Sequence, residues 1–446
     1  MKDKMQADVV IAGAGPAGIA AAVAAGRLGA KVILIERYGF VGGMSTAAAV
    51  YPWMTFHTET GERVIGGIAQ EIVERLMERG GSPGHLRDTV GFVHTVTPYH
   101  AEIYKVLAVD MLREAGVKLL AHSFVDGVSS LDGAVRSLAL TGKSGRFEVG
   151  GDVFVDATGD ADLAFLAGAP TLQGREEDRL TQPMTMKFRM RGVDLEAIRR
   201  AMLKNPGNFY SKTPFAELEH IPLTGVSGFY EEWNAGNAPI NRDQVLFFTG
   251  PEADEVLVNC TRVQGYDATD VEDLTKAEEE GRKQVLLMAD FLRERVPGFA
   301  QASISSVGAQ IGIRESRRIE GLYKLTLKDV VAGRRFADGI ARSGYPVDLH
   351  DPSGKGVMSA FIDNDGAYDI PYRCLVARNF TNLLAAGRCI STTHEALATT
   401  RLTPSCMATG EAAGTAAALA CASGTSTAEV DTGQLRHILS SNGAIL

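Results

Sequence analysis

The apolar positions of the first third of the chain fall into short runs and helical stripes. Val9 to Ala12 is an unbroken apolar run, Ile19 to Leu28 is alanine-rich and helix-favouring, and Val32 to Ile35 is a second apolar run. The pattern predicts strand, helix, strand. Ile68, Ile72, Val73 and Leu76 form a helical stripe within Ile65 to Arg79, which Gly80-Gly81 ends. Thr97-Pro98 reads as the N-cap and first-turn proline of a helix faced by Ile103, Leu107, Met111 and Leu112 and stopped by Gly116. Val117 to Val125 predicts a strand. Runs at Val135 to Leu140 and Phe147 to Val149, with glycines between them, predict an antiparallel meander. Val153 to Val155 predicts a buried strand that ends in Asp156-Ala157-Thr158-Gly159, before a short helix over Ala161 to Ala167.

From about Gln173 the character changes. Charged and methionine-rich segments alternate, then loops rich in Asn, Pro and Gly run to about Pro251. This predicts a second domain inserted into the first, with the chain divided as residues 1–172, 173–369 and 370–446. Val256 to Val263 predicts a strand. Asp270 to Arg295 predicts a long helix, with acids in its first half and bases toward its end, matching the helix dipole. Gly339 to Tyr368 reads as loop-rich. Phe380 to Ala386 predicts a strand, Thr392 to Glu395 a loop, and Ser405 to Ala422 a helix whose Gly410 and Gly414 form a small-residue face for very close packing.

The turn between the first strand and helix is Gly13-Ala14-Gly15-Pro16-Ala17-Gly18, and Glu36 closes the second strand. Glycine-rich turn, helix start and terminal acid are the parts of a dinucleotide-binding βαβ unit. Gly13 permits the tight turn, Gly15 lets backbone approach a pyrophosphate, and Gly18 lets helix and strand pack closely. The helix start offers unpaired N–H groups to phosphates, and Glu36 suits ribose hydroxyls. These residues leave NAD and FAD equally open. The loop from Arg37 to Thr46, with Gly42-Gly43, suits backbone beside a large flat ligand.

The 446 residues allow two domains, and the net charge of −9 argues against nucleic acid as the main partner. No apolar run reaches the roughly eighteen residues of a membrane span. The polar lead into the first strand fits no signal peptide. Five cysteines without CxxC spacing point to a reducing compartment, so a cytoplasmic location is expected. No HExxH, Cys/His cluster or DxDxDG loop suggests a metal.

Three features occur together: the βαβ start, the Asp-Ala-Thr-Gly strand end, and a C-terminal Ala-Gly-Arg before a glycine-rich helix. Together they resemble the two-dinucleotide-binding flavoprotein superfamily. More closely, the chain resembles the FAD-dependent oxidoreductase family, through VDATGDADLAFLAGA, IGIRESRRIEG, GRRFADGIARSGYPVDLHDP, YDIPYRCL and NLLAAGRCISTTHEALATTRLTPSCMATGEAAG. The resemblance implies an α/β fold. Its core would be a Rossmann-like FAD-binding domain of the glutathione-reductase/p-hydroxybenzoate-hydroxylase-like type, with a β-meander and an inserted α+β substrate domain. It also implies FAD. Gly13, Ala14, Gly15, Pro16, Ala17 and Gly18 would hold the pyrophosphate, and Glu36 with Arg37 the adenosine ribose. Gly43, Met44 and Ser45 would run beside the flavin ring, and Val125 would meet the adenine. Ala157, Thr158 and Gly159 would close over the ADP half. Gly387 and Arg388 stand where relatives commonly carry Gly-Asp, and Arg388 could fork onto the pyrophosphate. Ser405 and Met407 head a helix that would point at the flavin. A second GxGxxG and a CxxxxC are absent, so a built-in NAD(P)H domain of the disulfide-reductase type is not expected.

Flavin chemistry needs one proton moved beside it. His394 is the first candidate, because it lies between two segments that should touch FAD and titrates near neutrality; a hydrogen bond to cofactor or loop is the plainer role. Arg314, Arg317 and Arg318 could clamp a carboxylate or pair with Glu315 and Glu320 on a surface, and Arg401 stands just ahead of the flavin-facing helix. Tyr345, His350 and Tyr372 are candidates for the substrate pocket. The expected activity is dehydrogenation, by hydride transfer to flavin, of a small polar molecule at a carbon bearing hydroxyl or amine. Fumarate-reductase-like reduction of an activated double bond and a flavin subunit of an electron-transfer complex are the alternatives. Action on RNA is disfavoured by the acidic balance. The expected partners are a small-molecule substrate and an electron acceptor or donor, without nucleic acid or membrane, with a homo-oligomer left open.

Overall fold

The computed structural model of the protein describes residues 5–236 and 240–446. The first four residues of the polar lead lie outside them, and Met5 to Asp8 belong to the first strand. The first strand, β1 (Met5–Ala12), is central to a seven-stranded sheet. Helix α1 (Pro16–Arg27) returns the chain to β2 (Val32–Ile35), which pairs parallel with β1 from Val9↔Val32 to Ala12↔Ile35. Helices α2 (Gly67–Glu78) and α3 (Ala101–Glu114) follow. Strands β3 (Lys118–Leu120), β4 (Ser123–Leu131), β5 (Ala134–Gly142) and β6 (Gly145–Asp156) complete the first part. The order is β3-β2-β1-β6-β5-β4. Strand β6 has two halves: it pairs antiparallel with β5 up to Gly150 and parallel with β1 as far as Asp156.

Period-two alternation sorts this sheet's side chains into two layers. Val9, Ile11, Val32, Leu34, Val153 and Val155 face the helices in one core. Val10, Ala12, Ile33, Ile35 and Phe154 face the other way into a second core beside the meander. Both faces are therefore covered, which is why these strands read as unbroken apolar runs.

Two expectations from the pattern change here. The strand predicted over Val117 to Val125 is two strands, because His122 takes a left-handed backbone (φ 53°) and turns the chain. Helix α3 starts at Ala101 with His100 as N-cap, not at Thr97-Pro98, since the Thr97 backbone is bridged to Trp53.

The insertion forms a six-stranded sheet. Its strands are β7 (Phe188–Arg191), β8 (Phe209–Tyr210), β9 (Gly225–Gly228), β10 (Val245–Thr249), β11 (Glu255–Val258) and β12 (Ser303–Val307). Their order is β8-β9-β10-β11-β7-β12, with antiparallel pairing throughout. The long helix α4 (Val271–Arg295), capped by Asp270, covers one face. Met186, Phe188, Val245, Phe247, Val285, Met288 and Leu292 share its core. The alternate residues Leu246 and Phe248 face the first domain. The strand expected as far as Val263 ends at Val258, and Thr261 instead uses its hydroxyl to bond both backbone groups of Met186.

Residues 317–369, grouped with the insertion by composition, return to the first domain. Arg317–Ile319 pairs with Thr171–Gln173, and Gly339–Ser343 pairs with Tyr368–Pro371. The stretch read as loop-rich also holds a hairpin, Val347–His350 with Val357–Ala360. Strand β13 (Leu383–Ala385) then adds parallel to the end of β6.

Two helices follow, α5 (His394–Thr400), where the sequence predicted a loop, and α6 (Thr403–Ser423), before a closing helix over Thr432–Ser441. Thr393 starts α5 by accepting from the Ala396 N–H. Helix α6 lies directly on α1: a Cβ at Gly410 or Gly414 would run into the carbonyl oxygens of Ala17 and Ala21. Among the described residues no helix is long and apolar enough to cross a membrane.

Candidate functional site

A cavity of about 540 Å³ opens beyond the C-terminal ends of β1, β2 and β6 and runs up to the inserted sheet. In open α/β sheets this is where ligands bind. At its near end Gly13 holds φ +96°, and a Cβ there would stand 2.5 Å from the Ala157 oxygen. Gly43 holds φ +52°, and a Cβ there would stand 2.8 Å from Gly15 Cα. A side chain at Gly43 therefore has no room against the Gly15 backbone, whereas a Cβ at Gly15 would meet only Gly43 Cα, at 3.8 Å. Gly15 is the N-cap of α1, and neither a capping side chain nor a first-turn acid occupies the helix start. Its free N–H groups and dipole are left for an anion.

Glu36 is buried, and its two carboxylate oxygens accept from the N–H groups of Ala14 at 2.8 Å and Tyr38 at 2.9 Å. Burial raises its pKa, and those N–H groups oppose the rise. Asp156 shapes the opposite wall. It accepts from the Thr158 N–H at 3.0 Å, the Thr158 hydroxyl at 2.7 Å and the Ala164 N–H at 2.9 Å, which fixes the Ala157-Thr158-Gly159 turn. Of the residues expected here, Gly13, Gly15, Pro16, Ala17, Glu36 and Arg37 line the cavity. So do Gly43, Met44, Ser45, Val125, Ala157, Thr158, Gly159, Gly387 and Arg388.

Ala14 and Gly18 are not on the wall. Ala14 orients Glu36, and Gly18 packs against the Gly13 carbonyl. Ser405 and Met407 point into the core, while Thr403 and Cys406 face the cavity. Successive helical residues differ by about 100°, so only one side of this first turn reaches the space. Arg388 does not offer a free fork. It donates to Asp160 at 2.6 Å and to the Ile313 carbonyl at 2.7 Å, so its charge is already paired.

The far end is polar and mostly cationic. Lys187, Arg242, Arg314, Asp348, His350 and Arg401 line it with Tyr345. Arg314 donates to the Pro183 carbonyl at 2.6 Å and to the Thr185 hydroxyl. Arg401 reaches Asp348 at 3.5 Å, and its Nε is buried without a partner. Asp348 also meets His350 at 3.4 Å and the Tyr345 hydroxyl at 3.3 Å. Burial would raise the Asp348 pKa, but His350, Arg401 and Arg314 together hold it below the usual carboxylate range. Burial and Arg314 push His350 down to about 3, so its imidazole is neutral. Leu246, Phe248, Tyr210 and Phe92 supply apolar wall between the two ends.

His394 and Tyr372 are not on this wall. His394 is buried, with Nδ1 2.7 Å from Glu315, whose carboxylate is also held by Arg318. The basic stretch is therefore not a surface feature: Glu315, Ser316 and Arg318 are buried, and only Arg314 reaches the cavity. Tyr372 donates to the Thr427 carbonyl at 2.7 Å, away from the site. Lys187 and Arg242 carry charge on the wall without having been singled out in the sequence, and Asp348, which the sequence places only in the loop-rich segment with Tyr345 and His350, joins them. For Lys187 a signal existed: Met184, Met186, Phe188 and Met190 alternate into the core, so Thr185 and Lys187 face the other side.

Against known proteins, residues 8–439 match the model of the family described as FAD dependent oxidoreductase. The chain belongs to that family. FAD is therefore its cofactor and redox chemistry its activity. No curated relative matches the sequence. Among solved structures, a geranylgeranyl bacteriochlorophyll reductase-like protein from Thermoplasma acidophilum superposes with a TM-score of 0.51 at 12% identity, covering 99% of this chain and 85% of that one. The p-nitrophenol 4-monooxygenase PnpA from Pseudomonas putida also gives 0.51 at 12% identity, with coverages of 95% and 82%. Both share the glutathione-reductase/p-hydroxybenzoate-hydroxylase-like fold, and identity this low speaks for the fold alone.

The cavity fits the cofactor of this FAD-dependent oxidoreductase. Its near end has the glycine cradle that a Cβ would fill, an uncapped helix start for the pyrophosphate, and the Glu36 carboxylate for a ribose. The cationic residues Lys187, Arg314 and Arg401 line the same cavity as the Gly43 to Ser45 segment.

Proposed function

We propose that this FAD-dependent oxidoreductase dehydrogenates a small organic acid at a carbon bearing a hydroxyl or an amine. The observation that carries the reading is the grouping of Arg314 and Arg401 on one wall, with Asp348 as carboxylate and Lys187 beside them. Bound FAD supplies the two-electron acceptor for the hydride that leaves carbon. Arg314 and Arg401 hold the carboxylate through charge-assisted hydrogen bonds, each worth about 1.5–3 kcal/mol. Arg401 has donors to give, since among the described residues its side-chain bonds use Nη2 alone, at 3.4 and 3.5 Å to Asp348. Asp348 fixes Arg401 and keeps His350 beside it. Leu246, Phe248 and Phe92 exclude water and take the apolar body of the acid.

The test is anaerobic flavin reduction by a panel of 2-hydroxy and 2-amino acids, followed by loss of absorbance near the flavin maximum. The reading expects bleaching by at least one of them and none by the corresponding alcohols or amines without a carboxylate. Equal bleaching by the uncharged analogues would refute the anion clamp. Reoxidation of the reduced protein by α,β-unsaturated acids, with no bleaching by hydroxy or amino acids, would assign reduction of an activated double bond instead.

A further inference from the structure

Lys187 stands just before β7 with Thr185 as its neighbour on the same side of the strand, and both line the cavity. Thr185 is bonded to Arg314. Lys187 has no hydrogen-bond or ion-pair partner for its side chain among the described residues. An ammonium is compact, strongly hydrated and three-fold donating, so one held in a wall without a partner is unusual.

The charged groups that face it come from four elements. Arg189 is on the same strand, Arg314 follows the insertion, Arg401 precedes α6, and Asp348 is on the Val347–His350 strand with His350 beside it. Arg189 is paired with Glu255 at 3.0 Å, so two guanidiniums, Arg314 and Arg401, oppose one carboxylate that is already shared with Arg401, His350 and the Tyr345 hydroxyl. Arginine does not give up its proton in proteins, so the lysine is the group that can. Burial first, then Arg314 and Arg401, push its pKa down to about 7.

We propose that Lys187 Nζ is the catalytic base of the oxidation, taking the proton of the substrate hydroxyl or amine as the C–H bond breaks. This rests on the reading given under Proposed function. The O–H bond breaks and its proton joins the neutral amine to give an ammonium. The C–H hydrogen leaves with its electron pair to the acceptor named there, and the oxygen lone pair forms the C=O bond. For an amine, the corresponding N–H proton is taken and a C=N bond forms. One hydride and one proton leave the substrate. The seated carboxylate offsets the guanidiniums, which raises the proton affinity of Lys187 when it is needed. Asp348 then faces the new ammonium.

The experiment uses the FAD-loaded protein and two readouts. The first needs no turnover: trace acetic anhydride labels lysines between pH 5.5 and 10.5, and mass spectrometry follows the Lys187 peptide. A labelling midpoint near 7, well below that of the surface lysines, is expected. A midpoint within one pH unit of the surface lysines overturns the proposal. The second compares Lys187→Met and Lys187→Arg with wild type in anaerobic bleaching, with benzoate affinity measured by perturbation of the flavin spectrum. General bases contribute about 10²–10⁴-fold, so both variants should lose at least about 100-fold in bleaching rate. Benzoate affinity of Lys187→Met at pH 8.5 should change less than threefold, because the lysine it replaces is then neutral. Recovery of the rate by Lys187→Arg to within threefold of wild type would mean that charge, not proton transfer, is what Lys187 provides, and would overturn the proposal. Failure of wild type to bind benzoate or to be bleached by any acid sinks the anion reading instead, and the labelling midpoint still decides whether Lys187 can act as a base. Flavin content of each variant reports folding.

Discussion

Glu411 offers a prediction whose magnitude follows from the structure. It sits in the middle of α6, 3% exposed, where α6 passes the start of α2. Its Oε2 accepts from the Ile68 N–H at 2.9 Å, so a side chain from another helix caps α2, whose own N-cap is Gly66. No cation lies within ion-pair distance among the described residues. Burial raises its pKa from 4.5 to about 7; the Ile68 N–H and Arg27 oppose this, and Glu71 adds to it. A tenfold change in proton affinity is worth about 1.4 kcal/mol, so the raised value corresponds to about 3 kcal/mol. The sign follows from linkage. The folded state holds the proton more tightly than the unfolded one. The full stability is present below about 4.5 and is lost as pH rises through about 7. Above that, the buried carboxylate weakens the fold.

Glu411→Gln keeps an oxygen for the Ile68 N–H and cannot ionise. It should match wild type near pH 4.5 and be more stable by up to about 3 kcal/mol at pH 8.5. For a chain of this length that is a rise in Tm of about 3 °C. The assay is thermal unfolding at saturating FAD across this pH range, followed by circular dichroism. A variant less stable than wild type at pH 8.5, or a difference that does not grow with pH, would mean that the ionised Glu411 does not weaken the fold.

Other outcomes can be checked alongside. Arg401→Met and Arg314→Met should each weaken benzoate binding by about 10–100-fold, the loss of a charge-assisted hydrogen bond, with flavin content unchanged; titration of the flavin spectrum measures it. Gly410→Val drives a side chain into the Ala17 carbonyl. It should cost at least about 1–3 kcal/mol and lower FAD retention, because α1 carries the pyrophosphate cradle; unfolding midpoint and flavin-to-protein ratio report both. Asp156→Ala removes the acceptor of three hydrogen bonds at the Ala157 to Gly159 turn. It should weaken FAD binding at least about tenfold on the scale of one to two such bonds, read by fluorescence on titrating FAD into apoprotein. Removing FAD should lower Tm by about 3 °C relative to protein held at about one hundred times Kd, the mass-action effect of a ligand bound only by the folded state.

What the sequence determined by itself is the cofactor half. Gly13, Gly15, Gly18 and Glu36 lie within one βαβ unit, so their mutual positions are set by local chemistry: a turn needing positive φ, a helix start, and an acid one strand away. The Asp156 to Gly159 turn and the Gly410 and Gly414 face are legible for the same reason, since each needs a particular residue type wherever the rest of the chain goes. The tertiary structure alone decided the other half. His394 sits between two cofactor-facing segments in sequence, yet α5 turns its ring onto Glu315, from a segment 79 residues earlier. Arg388 is paired with Asp160, because β13 lies beside β6 and brings the two turns together. Lys187, Arg314, Asp348 and Arg401 come from four separated segments, and no local rule joins them. A lysine opposite an apolar strand face ordinarily meets water. Only the packing of the inserted sheet over the end of the parallel sheet turns that face into a cavity wall, where burial and neighbouring guanidiniums change the chemistry of its amine.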